Sequence, residues 1–308
     1  MSRRILWRLV QTPLILWSVY TITFLMVVTV PGNPFEHEGG RRLPKLIQIA
    51  LRQRYGMENN WAFYWRYLGR AVRGDLGVSL HYKDWTCNQI IAHSLPVSAA
   101  LGTAAMAIAL AAGVALGLIG AVRRHSLWDY ASLAVAVIGL CVPNFVIGAA
   151  LLILLCVMVR LFPAGGWGTP AHLVLPAVTL SLPFMAYIAR LTRLGMLEVL
   201  GSDFVRTARA KGLAESQVLL KHALRVAFLP VLSFLGPAAA AILTGSFVVE
   251  KVFNIPGLGL HFVNSVINRD QMLILAAVTV YSTLIVAFNL LVDLAYVWLD
   301  PRISAEAV

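Results

Sequence analysis

The chain has 308 residues and a net charge of +11; 59% of its residues are apolar and only 13% are Asp, Glu, Lys or Arg. Globular proteins carry about 25% charged residues, so this chain has too little charge to cover a water-soluble protein of its length. The composition excludes a soluble enzyme, a disordered chain and a disulfide-rich scaffold, and it predicts an integral membrane protein.

Six stretches without charge predict an all-α membrane protein with six transmembrane helices. Each stretch holds roughly the 20 apolar residues that a helix needs to cross the hydrocarbon core. The predicted spans lie near residues 9–30, 97–122, 131–159, 173–194, 226–249 and 271–298. The first is too long for a cleaved signal peptide and no Ala-x-Ala site follows it, so a retained signal anchor is favoured.

The basic residues predict the orientation of the spans. With the N-terminus inside, 13 Lys and Arg residues lie in cytoplasmic segments and three lie in short outer loops. The other nine lie between the first two spans, in a segment long enough to escape the positive-inside rule. Both termini are therefore predicted to be cytoplasmic. The predicted parts are the N-terminus with the first helix (1–32), an external insertion (33–96) and a five-helix core (97–308) that contains a cytoplasmic loop (201–225).

The external insertion contains a predicted amphipathic helix. Apolar residues recur there at helical spacing, among tyrosines and arginines: Trp61, Trp65, Leu68 and Val72. A helix of this kind suits the bilayer interface or the surface of a partner, and an interfacial helix without a binding role remains equally open.

The second span carries small residues at every fourth position, a spacing that lets helix backbones approach closely in lipid. They are Ala105, Ala109, Gly113, Gly117 and Ala121. Packing within the chain is favoured, and packing against a second subunit remains open.

Prolines interrupt the next three spans and predict kinked helices around a pathway. They are Pro143, Pro176, Pro183, Pro230 and Pro237. Broken helices are tolerated in a bilayer where protein or water covers the freed backbone groups.

The last span and the cysteines suggest no catalytic or metal site. Asp293 lies inside the last span, and its position near the predicted inner end favours a hydrogen bond over a proton relay. Three cysteines form no disulfide framework. We expect Cys87 to be a free thiol, and Cys141 and Cys156 to be small buried hydrophobic residues.

The most informative segment is the loop after the fourth span. Ser202 or Asp203 can begin a helix there, and Lys211 and Gly212 can end it, which predicts a two-turn helix. So short a helix is marginal in water, and we expect a partner to hold it. A second helix is predicted to begin near Ser216 and to continue into the fifth span. An ordinary basic loop that only anchors the inner face is the alternative.

This loop resembles the signature loop of the membrane subunits of ATP-binding-cassette (ABC) importers. That signature reads Glu-Ala-Ala, three residues and Gly, and the corresponding segment here is Arg206-Thr207-Ala208-Arg209-Ala210-Lys211-Gly212. Its form is similar to that of the peptide and nickel branch.

Other segments extend the resemblance along nearly the whole chain. They are Pro31-Gly32-Asn33-Pro34-Phe35, Gly74-Asp75-Leu76-Gly77-Val78-Ser79, Tyr82-Lys83-Asp84-Trp85, Gly245-Ser246-Phe247-Val248-Val249-Glu250, Asn254-Ile255-Pro256-Gly257-Leu258-Gly259 and Arg269-Asp270. The third and last of these resemble the B-type permease of oligopeptide importers.

The resemblance implies a type I ABC importer permease in the bacterial inner membrane. It also implies the partners: a C-type permease subunit, two ATPase subunits that hold ATP and Mg, and an external peptide-binding protein. This chain itself would bind no cofactor, metal or nucleic acid. The residues expected to couple it to the ATPases are Asp203, Arg206, Thr207, Ala208, Arg209, Ala210, Lys211 and Gly212.

Further expectations concern the gate and the rival functions. Val248, Val249 and Glu250 are a candidate external gate, with ordinary helix-end packing as the alternative. The sequence contains no phosphate-binding loop, zinc motif or nucleophile elbow, so catalysis by this chain is not expected. A secondary transporter and a membrane-embedded enzyme are the rival classes. Dipeptide, nickel, murein-peptide and antimicrobial-peptide uptake are the rival substrates.

Overall fold

The computed structural model describes residues 2–31, 34–35, 44–82, 84–243 and 247–299, with the backbone alone for residues 2–9, 243 and 292–299. Helices dominate this part of the chain. Its one β feature is an isolated antiparallel bridge between Val78 and Thr86. The predicted all-α class is confirmed.

The helices are, in chain order, α1 (Ser2–Thr29), α2 (Lys45–Tyr55), α3 (Asn60–Val72), α4 (Cys87–Val122), α5 (Leu127–Cys141), α6 (Asn144–Leu151), α7 (Pro170–Leu200), α8 (Asp203–Ala210), α9 (Glu215–Gln217), α10 (Leu224–Ala227), α11 (Leu229–Leu243), α12 (Phe247–Val252), α13 (Leu258–Ile267) and α14 (Gln271–Leu299). Two π-helical segments, Leu152–Met158 and Val218–Ala223, extend α6 and join α9 to α10.

Four of these helices are long and apolar enough to cross a membrane, and two bent pairs bring the number of spans to six if each pair counts as one. The four are α1 from Val10, α4, α7 and α14 as far as Leu291. The helix α4 begins ten residues earlier than the predicted second span. Its 36 residues extend over about 54 Å at 1.5 Å per residue, well beyond the hydrocarbon thickness.

The predicted third span is not one helix, because Pro143 breaks it. Leu127–Cys141 and Asn144–Met158 meet at 108°. Val142, the residue before the proline, has an extended backbone with ψ 125°, since the proline ring disfavours helical geometry there. The interruption is therefore larger than the kink that the sequence predicted.

The predicted fifth span is also divided. Glu215–Ala227 and Leu229–Ile242 meet at 57°, and Pro230 lies in the first turn of α11, where its missing N–H is tolerated. The end of the predicted span, residues 247–249, lies in α12. In contrast, α7 continues as one helix through both Pro176 and Pro183.

The chain forms two compact units. The first unit contains the residues up to Ser98 together with Pro256–Leu291, and the second contains Ala99–Ile255. The three parts predicted from the sequence are divided by the side of the membrane on which they lie, and not by compactness. That division stays a prediction.

The core of the first unit contains an aromatic cluster and a buried carboxylate. Tyr20 and Phe24 of α1 pack against Phe63, Tyr64 and Tyr67 of α3, with ring centroids 5.1 to 6.0 Å apart.

The buried carboxylate is that of Asp270, just before α14. It accepts hydrogen bonds from the hydroxyl of Ser79, from the backbone N–H groups of Leu80 and His81, and from the N–H of Leu273. It therefore caps α14 and fixes the loop that follows α3. Two of the segments that carry the family resemblance meet at this point.

The second unit contains a close contact between α4 and α7. A Cβ atom at Gly113 would lie 2.8 Å from the carbonyl oxygen of Met185, and one at Gly117 would lie 2.5 Å from that of Ala189. Ala109 is fully buried on the same face. The small-residue stripe thus packs against a helix of its own chain, as favoured from the sequence.

The cysteines differ in part from expectation. Cys87 is free, as predicted, and it is buried. Cys141 is exposed and Cys156 is half-buried, so the expectation that both are buried is wrong. A membrane helix can be apolar on every side, because lipid covers the sides that protein does not. The side chain of Asp293 lies outside the described residues.

Candidate functional site at the short helix α8

The helix α8 forms where the loop after the fourth span predicted it. Asp203–Ala210 makes two turns with an acidic residue in the first turn, which suits the helix dipole. The hydroxyl of Ser202 donates to the carbonyl of Val199 instead of capping the helix. Gly212 ends the segment with φ +74°, a left-handed conformation that only glycine adopts without strain.

One face of α8 is packed into its own chain. Val205 and Ala208, three residues apart, are buried in a cluster that includes Met196 of α7, Val218 of the second π-helical segment and Ala227 of α10. This packing supplies the stability that two turns lack in water. The fold of α8 therefore does not depend on a partner, and the expectation that a partner binds it stays a prediction.

The other face of α8 is open. Phe204, Arg206, Thr207 and Ala210 are exposed, as is Lys211 beyond the helix end. An exposed aromatic residue among basic and small ones is the composition of a protein-binding surface. Phe204 is not among the residues predicted from the sequence, although its place one residue before a buried valine at the start of the helix could have indicated it.

A bidentate ion pair braces the turn after α8. The Arg209 guanidinium lies 2.7 and 3.1 Å from the two carboxylate oxygens of Glu215. The Glu215 carboxylate raises the pKa of Arg209 above its usual value. Of the three basic residues expected to contact an ATPase, Arg209 is therefore already engaged within its own chain. The exposed Arg206 pairs over 3.4 Å with Asp203, one turn earlier.

The segment that follows α8 is irregular. It consists of a short α-helical turn, six π-helical residues and four more α-helical residues before the bend at Phe228. The predicted second helix thus begins at Glu215 but does not enter the fifth span as one straight helix. Single π turns are frequent at functional sites.

The C-terminal end of α7 connects α8 to the rest of the second unit. Met196 contributes to the cluster under α8. At Gly195 a Cβ atom would lie 2.7 Å from the carbonyl oxygen of Ala227, which shows how closely α7 and α10 pack. A displacement of α8 would therefore act directly on these two helices.

A largely buried ion pair joins α7 to α5 near the same level. Arg193 donates to both carboxylate oxygens of Asp129, at 2.7 and 2.9 Å, and the Asp129 side chain is 5% exposed. Asp129 also accepts from the backbone N–H of His125. From the sequence, Arg193 is only one of the basic residues that predict the orientation of the spans. The signal that could have indicated the pair is one acid and one base at the predicted inner ends of consecutive spans.

The candidate gate residues lie on α12 in the second unit. Val249 and Glu250 are fully buried and Val248 is exposed. The chain continues to Phe253, whose carbonyl accepts a hydrogen bond from Gly166 at 3.0 Å. Their role as a gate stays a prediction, and the two residues before Phe247 lie outside the described part of the chain.

Residues 113–305 match a family described as the binding-protein-dependent transport system inner membrane component. This chain belongs to that family. It is a multi-pass permease of the inner membrane. The resemblance to ABC importer permeases that the sequence predicted is thereby confirmed.

Curated relatives match almost end to end. The chain is 40% identical to the oligopeptide transport system permease protein OppB of Haemophilus influenzae over 299 residues, which cover 96% of this chain and 97% of the relative. It is 42% identical to the dipeptide transport system permease protein DppB of Bacillus subtilis, with 97% and 96% covered. The OppB of Escherichia coli K12 is 40% identical over 306 residues, covering 98% and 99%.

Proposed function

We propose that this chain is the transmembrane permease subunit of an ATP-driven peptide importer, and that α8 is the helix through which separate ATPase subunits move it. The two faces of α8 support this assignment most directly. Val205 and Ala208 are locked into the chain's own core, while Phe204, Thr207 and Lys211 are exposed to a partner. A helix fixed on one side and open on the other can transmit a displacement.

In the proposed mechanism the ATPase subunits bind ATP and Mg, and this chain binds no cofactor. ATP-driven closure of the ATPases displaces α8, and the cluster beneath it passes the displacement to α7 and α10. The bend at Phe228 and the break at Pro143 are the points where the spans can change angle. Such a device needs only that the partner contacts α8 differently in its two states.

The proposed assembly contains a C-type permease, two ATPases and an external peptide-binding protein. Both termini of this chain face the cytoplasm, as the distribution of its basic residues predicts, and α8 is then on the same side as the ATPases. Asp203, Arg206, Ala210 and Gly212 complete the surface that they would contact.

The proposed substrates are oligopeptides delivered by the binding protein. Two of the relatives above are named for oligopeptide transport and one for dipeptide transport, so dipeptides are the second candidate. Uptake of labelled peptides of graded length by the reconstituted assembly separates the two. Uptake confined to dipeptides would replace the first candidate by the second, and uptake of no peptide would overturn both.

Paired glycine substitutions test the coupling role. Gly212 and Gly74 both have positive φ, +74° and +80°, and both have open space where a Cβ atom would lie. Valine at either position brings the same left-handed strain, about 1–2 kcal/mol, and its Cβ atom would meet no neighbour within 4 Å. We expect Gly212→Val to reduce both peptide uptake and the stimulation of ATP hydrolysis in the assembled complex, with the protein still in the membrane. Gly74→Val should retain both activities.

One result of this comparison would overturn the coupling role of α8. If Gly212→Val assembles, transports and stimulates ATP hydrolysis as Gly74→Val does, α8 is not the coupling helix. If Gly212→Val is missing from the membrane, the test is repeated with Gly212→Ala, which carries a smaller side chain.

A further inference from the structure

The unexplained feature of the first unit is the open face of α3. Its buried face packs against α1, but Trp61 is 73% exposed and Trp65 is 59% exposed on the opposite side. Two large aromatic residues on one helix face, with the exposed Arg66 beside them, need an occupant. The place of α3 along α1 identifies that occupant.

The contacts of α3 locate it along α1. Phe63 contacts the ring of Phe24, and the hydroxyl of Tyr20 donates to the carbonyl of Tyr64 at 2.8 Å. The ring of Tyr67 stacks on that of Tyr20. Going from the first to the last of these contacts, α3 follows α1 over about one helical turn, from Phe24 down to Tyr20.

The end of the membrane span is marked independently. The apolar part of α1, Val10–Thr29, has 20 residues and is about 30 Å long, which just equals the hydrocarbon thickness. The side chain of Gln271, the first residue of α14, lies 3.4 Å from the carbonyl oxygen of Val27. Two apolar spans therefore end at the same level.

The contacts with α3 lie below that level. Phe24 is three residues and Tyr20 seven residues from Val27, which is about 5 to 10 Å along the helix. That depth is where interfacial helices lie, at the boundary of headgroups and acyl chains. The hydroxyl of Tyr67, 3.5 Å from the carbonyl oxygen of Met272 at the start of α14, is consistent with the same depth.

The alternative is that α1 rises out of the membrane and carries α3 into water. Ile22, Leu25 and Met26, which are 58 to 64% exposed, would then lose their lipid surroundings. Arg8 and the arginines before it would be drawn into the hydrocarbon, where a charge is costly. Both consequences are energetically unfavourable, so they argue against α1 rising out of the membrane.

We infer that α3 lies in the outer leaflet beside α1, with Trp61 and Trp65 inserted among lipid acyl chains. Tryptophan is favoured at this boundary because its ring is apolar and its N–H can reach polar groups. The guanidinium of Arg66 lies 3.5 Å from the carbonyl oxygen of Gly56, before α3, and long basic side chains of this kind can keep their charge at headgroup level. The occupant of the open face is thus phospholipid, and α3 anchors the external part of the first unit to the membrane surface.

Spin labels test this placement in the full-length chain, reconstituted in vesicles of phosphatidylethanolamine and phosphatidylglycerol. Cys141 and Cys156 are first replaced by alanine, and the buried Cys87 is retained. Labels are attached to the single variants Trp61→Cys and Trp65→Cys. Ile22→Cys on α1 is the lipid reference, and Glu58→Cys, just before α3, is the water reference.

Collisions with dissolved oxygen report lipid, and collisions with a water-soluble nickel chelate report water. We expect the labels at 61 and 65 to follow the label at 22, with oxygen collisions several-fold more frequent than nickel collisions, and the label at 58 to show the reverse. Nickel accessibility at 61 and 65 equal to that at 58 would overturn the proposal. Inaccessibility to both reagents would also overturn it, because a protein partner or a second copy would then cover the face.

Fluorescence gives a second measurement without introduced cysteines. In vesicles whose lipids are brominated near the headgroup end of the acyl chain, Trp61 and Trp65 should account for part of the quenched emission. The double variant Trp61→Phe, Trp65→Phe should lose that part. An unchanged quenched fraction would contradict the placement in lipid.

Discussion

The contact between α4 and α7 makes a precise prediction for Gly117→Ala. A Cβ atom at this position would lie 2.5 Å from the carbonyl oxygen of Ala189, 2.6 Å from the Cβ of Thr192 and 3.0 Å from the backbone nitrogen of Arg193. Ordinary contacts begin near 3.4 Å, and two of these three atoms belong to the backbone of α7. One added methyl group must therefore push the two helices apart by most of an ångström.

The magnitude follows from two opposing contributions. Overpacking of a tight interior costs about 1–3 kcal/mol, and backbone contacts place this site at the upper end, near 3. Alanine is favoured over glycine in a helix by about 1 kcal/mol. The expected net loss in the free energy of unfolding is thus about 2 kcal/mol.

Gly69→Ala is the matched control, because Gly69 lies inside the helix α3 and a Cβ atom there would have no neighbour within 4 Å. It should gain about 1 kcal/mol from helix propensity alone. The assay is thermal unfolding of both variants in the same detergent, with the folded fraction measured by gel filtration. If Gly117→Ala melts as high as Gly69→Ala, α4 and α7 do not pack as described.

Three further changes test other contacts. Asp129→Asn should lower the melting temperature, because it leaves the charge of Arg193 without its partner. Adding Arg193→Met should restore much of the loss, because the double variant has no charge at either position. Identical melting temperatures for the single and double variants would contradict the buried ion pair. Val205→Ala removes two methyl groups under α8, a loss of about 1.6 kcal/mol. Tryptic cleavage of that segment should therefore accelerate about 15-fold, and unchanged cleavage would mean that the helix is not held there. The Arg70 guanidinium holds the pKa of Asp75 below its usual value, so this pair stabilises the fold at neutral pH and ceases to do so as pH falls through the lowered pKa. The melting temperatures of wild type and Asp75→Asn should therefore keep their difference from about pH 7 to pH 5 and converge below about pH 4; a constant difference would argue against the pair.

Local signals in the sequence were enough for the apolar spans, the two-turn helix and the family. Transmembrane length and charge are properties of a continuous stretch, and a glycine that ends a helix acts on its own backbone. For this reason Asp203 could be assigned to the start of α8, and Gly212 to the turn that follows it, without any knowledge of packing. The small residues at every fourth position similarly predicted a close helix contact.

What only the tertiary structure decided is which groups those elements meet. Asp129 and Arg193 are 64 residues apart, and no local pattern pairs them. The inward turn of Val205 depends on Met196 and on a π-helical segment that the sequence did not predict, so only the fold showed that α8 is held by its own chain. The 108° break at Pro143 likewise exceeds a local kink, because a proline removes helical geometry but the surrounding helices determine the angle.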